Sequence, residues 1–81
     1  MDLKPVTSSQ IYAIGYNPES QRLRVQFLKK TKGEPPTPGS IYEYDDITPE
    51  QHAALVRAES IGTHFGANIK NNKAINYRKI G

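Results

Sequence analysis

An alternating run of side chains at residues 22–27 (RLRVQF) is the feature that most constrains the fold of this chain. Leu23, Val25 and Phe27 are apolar, and the residues between them are charged or polar. Because successive side chains of a β-strand point to opposite faces, the run predicts a strand with one face in the core and the other in solvent. A strand that is buried on one face only is typical of an antiparallel sheet.

Two neighbouring segments are predicted to pair with this strand. β-Branched and aromatic residues favour a strand at 11–16 (IYAIGY), and the sequence NPES at 17–20 favours a turn that closes a hairpin. Residues 41–45 (IYEYD) alternate again and are expected to return as a third strand. Residues 1–8 show no clear period and are predicted to form a loose lead-in.

The third predicted strand carries two acidic residues, Glu43 and Asp45, on one face. Opposite charges that face each other across an antiparallel pair attract. We therefore expect Glu43 and Asp45 to form ion pairs with Arg22 and Arg24 of the second strand. Such pairs would make these two arginines weaker candidates for binding a ligand.

Prolines and glycines dominate the segment between the second and third strands. Residues 29–40 contain three prolines and two glycines, a composition that is incompatible with a helix or a central strand. The segment is predicted to form an extended hairpin loop, basic in its first part and mobile at its tip.

Two helices and a last strand are predicted in the second half of the chain. The sequence TPEQ at 48–51 favours a helix start, because threonine can cap, proline suits the first helical position and glutamine completes a capping box. This helix is expected to end near Glu59. Ser60 then begins a second short helix, whose apolar residues recur every four positions over residues 61–69. Residues 75–80 are predicted to form a strand at a sheet edge.

These elements define an α+β fold, a small antiparallel sheet packed against two short helices in the order β-β-β-α-α-β. All 81 residues are assigned to one domain with a core at about residues 6–80. A chain this short buries only somewhat more than ~60% of the surface of its unfolded state, so we expect a thin margin of stability.

Catalytic activity is not expected from the available side chains. His52 and His64 lie on different predicted helices, and no third residue has metal-site spacing with them. Asp45 and Asp46 are adjacent on a strand, where they point to opposite faces and cannot act as a pair. The chain has no cysteine and no glycine-rich phosphate loop. We therefore predict neither an enzyme nor a metal or other cofactor.

Basic residues concentrate near the C-terminal end. Residues 60–81 hold four basic residues and no acidic one, and Tyr77 lies among them. Lysine and arginine neutralise phosphates, and an exposed tyrosine can stack on a base. The segment is therefore a candidate for binding RNA or a nucleotide. A solvated basic strand explains the same residues, and both interpretations stay open.

The start of the second predicted helix is a further candidate. Free N–H groups at a helix start attract phosphate, and Ser60 and Gly62 would lie beside it. The alternative is a structural corner, in which Ser60 caps the helix and Gly62 allows close packing. The candidate nucleic-acid-binding or phosphate-binding residues are Ser60, Gly62, Lys70, Lys73, Tyr77, Arg78 and Lys79.

The predicted partner is RNA or a nucleotide. The alternative is a protein that docks on the Pro-rich loop or on the C-terminal edge strand. A membrane partner is not expected, because no apolar run approaches ~20 residues. A cytoplasmic location is predicted, since the chain has no cysteine and no apolar segment at its start.

Several short motifs follow one another in an order and spacing that resemble one family. They are residues 8–11 (SSQI), 14–17 (IGYN), 23–27 (LRVQF), 42–44 (YEY), 47–49 (ITP) and 58–65 (AESIGTHF), with Ile69 and Tyr77. Over about residues 6–80 the chain resembles a KTSC domain, which is found at the C-terminus of some lysyl-tRNA synthetases and as small bacterial or phage proteins. This resemblance implies proximity to tRNA and favours a tRNA-like RNA as partner. The Pro-rich segment departs from the family, which tends to have a tighter turn there.

Overall fold

Within residues 2–81, which the computed structural model describes, five strands pair in chain order to form one antiparallel sheet. Two helices and a π-helical segment pack on one face of this sheet. The predicted α+β class is therefore confirmed. The elements are β1 (Lys4–Pro5), β2 (Ile11–Asn17), β3 (Arg22–Lys29), β4 (Thr37–Tyr44), α1 (Pro49–Arg57), α2 (Ile61–Phe65), the π-helical segment (Gly66–Lys70) and β5 (Tyr77–Lys79).

The turn between β2 and β3 forms as the sequence predicts. The Asn17 side-chain oxygen accepts hydrogen bonds from the backbone N–H groups of Glu19 at 2.9 Å and Ser20 at 3.4 Å. Gln21 closes the turn at φ 56°, a conformation that non-glycine residues adopt mainly in turns. β2 and β3 leave this turn in register, with Asn17 opposite Arg22.

Both helix starts carry the predicted caps. The Thr48 hydroxyl accepts a hydrogen bond from the Gln51 backbone N–H at 3.2 Å, and the Gln51 side-chain oxygen accepts one from the Thr48 N–H at 2.8 Å. This reciprocal pair is a capping box. The Ser60 hydroxyl accepts a hydrogen bond from the Thr63 backbone N–H at 3.4 Å and begins α2.

The core lies between the sheet and the helices. Phe65 of α2 contacts Phe27 and Tyr44 edge to face, with ring centroids 5.6 Å and 5.3 Å apart. Aromatic pairs favour this geometry. The buried core residues are Ile11, Ile14, Leu23, Val25, Tyr44, Ile47, Leu55, Ile61, Phe65 and Ile69.

The predicted loose lead-in contains a short strand. Lys4 and Pro5 form β1 opposite Ile14 and Ala13, and the Val6 N–H donates to the Tyr12 carbonyl at 3.0 Å. A strand of two residues is too short to show an alternating pattern, so the sequence gives no signal for it. The predicted order has four strands, and β1 is the fifth strand that the structure adds to it.

The Pro-rich hairpin loop is shorter than predicted. β3 extends to Lys29 and β4 begins at Thr37, so the loop covers residues 30–36 and Pro38 lies inside a strand. β5 pairs only with residues 42–44 of β4, which leaves the first half of β4 at a sheet edge. Edge positions tolerate proline because its missing N–H need not join a ladder of hydrogen bonds.

The second predicted helix changes type along its length. After α2, the Asn71 N–H donates to the Gly66 carbonyl, five residues back, which is the spacing of a π-helix. Ile61, Phe65 and Ile69 nevertheless stay buried on one side, as their spacing predicts. The π-helical segment carries Lys70 and Asn71 to the edge of the sheet beside β5.

Candidate functional site

One face of the sheet carries a cluster of ion pairs across β3, β4 and β5, which we term the ionic face. The Arg24 Nε atom donates to the Glu43 carboxylate at 2.9 Å. Arg78 donates to Glu43 and, at 2.6 Å, to Asp45. Arg22 lies 3.9 Å from the Glu43 carboxylate and 3.7 Å from that of Asp45. The predicted pairing of Arg22 and Arg24 with Glu43 and Asp45 is present, and Arg78 joins it.

Glu43 is the centre of the ionic face and is only 5% exposed. The hydrogen bond from Arg24 lowers the pKa of Glu43, and the charges of Arg24, Arg22 and Arg78 act in the same direction against the opposing effect of burial. Hydrogen bonding to Asp45 raises the pKa of Arg78. The arginines of β3 and β5 are thus engaged with carboxylates of the protein itself.

The other face of the sheet forms an open groove beside the end of the π-helical segment. The groove holds about 1010 Å³ and is bounded by the outer part of the β3–β4 hairpin and by β5. Lys29, Lys70 and Lys79 line it, and among residues 2–81 no acidic side chain does so. We term it the lysine groove. All ion pairs within residues 2–81 are made by arginines, so these lysines keep their charges available for a ligand.

A stack of aromatic rings runs from the core to the lysine groove. Tyr77 is 63% exposed, and its ring lies 5.6 Å from that of Tyr44 at an interplanar angle of 26°. Tyr42 lies 6.2 Å from Tyr77 and lines the same groove. Burial raises the pKa of Tyr44 to about 12, so its hydroxyl stays protonated at neutral pH. The groove therefore combines positive charge with one exposed aromatic ring.

The structure brings together three of the predicted site residues, Lys70, Tyr77 and Lys79. Arg78 does not join them, because neighbouring residues of a strand point to opposite faces and its guanidinium lies on the ionic face. Lys73 is exposed in the turn after the π-helical segment and does not line the groove.

Ser60 and Gly62 lie apart from the lysine groove at the corner between α1 and α2. A Cβ atom on Gly62 would lie 3.1 Å from the Gln10 side-chain oxygen and 3.3 Å from the Ser8 hydroxyl oxygen. That Ser8 oxygen accepts hydrogen bonds from the N–H groups of Gln10 and Ile11 at 3.1 and 3.2 Å. The geometry matches the structural alternative, in which Gly62 permits close packing of a helix on the segment before β2.

Among the groove residues that the sequence-based prediction does not include, Lys29, Tyr42 and Asn71 have side chains suited to binding a nucleic acid. Lys29 continues the alternation of β3 two residues after Phe27, so it shares the face of Phe27, and this signal was available. Tyr42 is predicted as a strand residue and is not among the candidate site residues. Asn71 is predicted to end the second helix and is not among the candidate site residues, because its place in the groove depends on the π-helical turn that precedes it.

The histidines have structural surroundings. His52 stacks on Tyr16 with ring centroids 4.4 Å apart and an interplanar angle of 13°, and burial lowers the pKa of His52. The Tyr16 hydroxyl donates to the Ile47 carbonyl. Within residues 2–81, no three His, Cys, Asp or Glu side chains are grouped so that they could hold a metal ion.

Comparison with known proteins gives the family. A model of the KTSC domain matches residues 7–72, most of the chain, and the chain therefore belongs to the KTSC domain family. This match ends before β5, whereas the resemblance seen in the sequence extends to residue 80. In residues 2–81, no helix has the length and apolar character needed to cross a membrane.

Relatives and one crystal structure agree with this family. An uncharacterised protein of Stutzerimonas stutzeri (strain A1501) is 36% identical over 63 residues, which cover 78% of this chain and 76% of the relative. A protein of Tsukamurella paurometabola is 35% identical over 68 residues, covering 84% and 88%. The chain is also similar to the crystal structure of the KTSC domain protein YPO2434 from Yersinia pestis, with a TM-score of 0.78, 32% identity, and 99% and 97% of the two chains covered.

Proposed function

We propose that this KTSC domain is a non-catalytic binding module that holds RNA, or a nucleotide with its phosphate, in the lysine groove. The observation that carries this proposal is the set of Lys29, Lys70 and Lys79 around one groove without an acidic side chain in its lining. Lysines that are free of internal ion pairs can neutralise phosphates, and a site of one charge sign attracts an anionic ligand over a distance.

The absence of catalysis is part of the proposal and rests on the groove residues. Among residues 2–81, the side chains that line the groove include no histidine, carboxylate or cysteine that could act as a base or nucleophile. Glu43 and Asp45 are bound to arginines on the opposite face, and His52 is held in its stack with Tyr16. We propose binding as the whole activity of the domain.

A tRNA-like RNA is the ligand we favour. The resemblance to domains attached to lysyl-tRNA synthetases implies proximity to tRNA, and an electrostatic groove suits a long polyanion. A cytoplasmic location, where such RNA is found, belongs to the same proposal.

A charge-reversal experiment tests the proposal. We expect the full chain to bind fluorescently labelled tRNA, and binding to weaken by about 20- to 40-fold between roughly 50 and 200 mM salt if three phosphates are contacted. The double variant Lys70→Glu/Lys79→Glu should abolish binding, since it places acids in the groove. Binding is measured by fluorescence anisotropy.

A matched control separates the site from general charge. Lys4→Glu/Arg57→Glu makes the same change in net charge, but Lys4 lies on β1 at the other edge of the sheet and Arg57 at the end of α1. This control should keep most of the affinity. An equal loss of binding in both double variants would overturn the assignment to the lysine groove.

A protein partner is a second candidate, favoured by the exposed Pro-rich tip of the β3–β4 hairpin. Every residue of the segment 30–36 is exposed. Because Lys29 pairs with Thr37, replacing residues 30–36 with Asn-Gly should close the hairpin by a two-residue turn. If the tip binds a protein, this variant loses partners in affinity capture yet still binds tRNA. Unchanged capture would remove the tip from consideration.

A further inference from the structure

We propose that the lysine groove selects single-stranded RNA over duplex RNA and over a single nucleotide, with one base stacked on Tyr77. This inference rests on the function proposed above and specifies the form of nucleic acid that the same groove accepts. It follows from two features of the protein, the exposure of the Tyr77 ring and the spacing of the lysines. The third ground is a property of the ligand, because the bases of a duplex have no free faces along its length.

The Tyr77 ring is held in place but left largely uncovered. One side packs on the buried ring of Tyr44 at 5.6 Å and 26°, while the side chain as a whole remains 63% exposed. A ring fixed from behind loses little conformational freedom when a ligand binds to its front. Every nucleobase has a flat face that can stack on such a ring, whatever the sequence.

A duplex cannot use this ring. Away from the ends of a double helix each base is covered on both faces by its neighbours, so a side chain at the surface reaches only base edges, sugars and phosphates. A duplex laid on the groove would therefore contact the lysines without the contribution of Tyr77. A single strand can present one unstacked base to the ring while its backbone meets the lysines.

The spacing of the lysines favours a ligand longer than one nucleotide. Lys29 pairs with Thr37 on β4, whereas Lys79 pairs with Tyr42 of the same strand. Tyr42 lies opposite Val25 and Thr37 opposite Lys29, so the two positions are four residues of β3 apart, which corresponds to about 13 Å along the sheet. Successive phosphates of an extended strand can contact both lysines across this span without bending either side chain toward the other, which favours an oligomer over a single nucleotide.

The test compares three probes on the full chain, an unstructured oligouridylate, a blunt RNA duplex of equal length and uridine monophosphate. We expect the single strand to bind at least about tenfold more tightly than either of the others. Tyr77→Leu should weaken single-strand binding by about tenfold and leave duplex binding unchanged. Lys70→Gln should weaken the binding of both polymers, because it removes a charge that both contact.

Two further variants keep the test decisive. Tyr12→Leu changes an exposed tyrosine of β2 outside the groove and should leave all affinities unchanged. Tyr77→Phe keeps the ring and should keep single-strand binding, which covers the case in which Tyr77→Leu does not fold.

The outcomes separate this inference from the proposed function. Equal affinity for single strand and duplex, or a nucleotide that binds as tightly as the oligomer, overturns the selection of single strands and leaves RNA binding in place. Single-strand binding that is insensitive to Tyr77→Leu in a folded variant overturns it as well. Failure of all three probes and of tRNA to bind overturns both proposals.

Discussion

Glu43 is the single residue on which the ionic face depends. Its carboxylate is almost fully buried, and it contacts three arginines that are themselves 39–53% exposed at their side chains. Removing a buried partner leaves the others without a counter-charge. Because the arginines remain partly hydrated, water offsets part of that penalty, and we expect Glu43→Gln to lower the free energy of unfolding by about 2 kcal/mol. Urea denaturation of both proteins at neutral pH measures this difference in the free energy of unfolding.

Glu43 also makes the free energy of unfolding depend on pH. The pKa of Glu43 lies below its ordinary value of 4.5 in the folded state, so the unfolded chain binds more protons between the two pKa values. The free energy of unfolding should therefore decrease as the pH falls below 4.5 and through the lowered pKa. Glu43→Gln should make this decrease shallower. An unchanged pH profile in that variant would show that the ion pairs of Glu43 add nothing to stability.

Sequence patterns predicted the contacts of the ionic face because those contacts follow from alternation. Glu43 and Arg24 lie on the same face of neighbouring strands once the strand pairs are assigned. The position of Arg78 opposite Glu43 depends on how β5 docks on β4, and no local pattern contains that register. The assignment of Arg78 and Lys79 to one site is wrong for a different reason, because alternation within the predicted strand already places their side chains on opposite faces.

At the scale of elements, the contact between α2 and the segment before β2 is a tight one. Gly62 is the residue that permits it, since a Cβ there would lie 3.3 Å from the Ser8 hydroxyl oxygen, which is fixed by two hydrogen bonds. The motif SSQI and the motif AESIGTHF are therefore parts of one packing contact. Their distance along the chain hides this relation, which only the fold reveals.

Two glycines near this contact make a matched pair. Gly62→Ala should destabilise the fold by about 1 kcal/mol, because the displacement of Ser8 or Gln10 outweighs the better helix propensity of alanine. Gly66 has helical backbone angles, and a Cβ atom added there by Gly66→Ala would have no neighbour within 4 Å. This substitution should stabilise the fold by about 0.5–1 kcal/mol. Thermal and urea unfolding of both variants measure the difference, and equal effects would refute the role given to Gly62.

At the scale of the whole molecule, the two faces of the sheet divide the basic residues between two tasks. Arginines on the ionic face are bound to Glu43 and Asp45, whereas Lys29, Lys70 and Lys79 surround the lysine groove. Arginine suits the first task because its planar group pairs with a carboxylate through two hydrogen bonds. Lysine suits the second, because a flexible point charge can follow a phosphate backbone. The lysine groove thus combines Lys29 of β3 with two of the basic residues near the C-terminal end.

Neighbouring residues of β5 test this division directly. Arg78 and Lys79 have the same charge and differ in the face they occupy. Arg78→Gln should lower the melting temperature, because it removes the hydrogen bonds to Asp45 and Glu43, and should leave RNA affinity nearly unchanged. Lys79→Gln should do the opposite, weakening RNA binding and its dependence on salt while the melting temperature stays the same. Melting curves and anisotropy titrations on the two variants suffice, and a loss of affinity as large in Arg78→Gln as in Lys79→Gln would place the ligand on the ionic face instead.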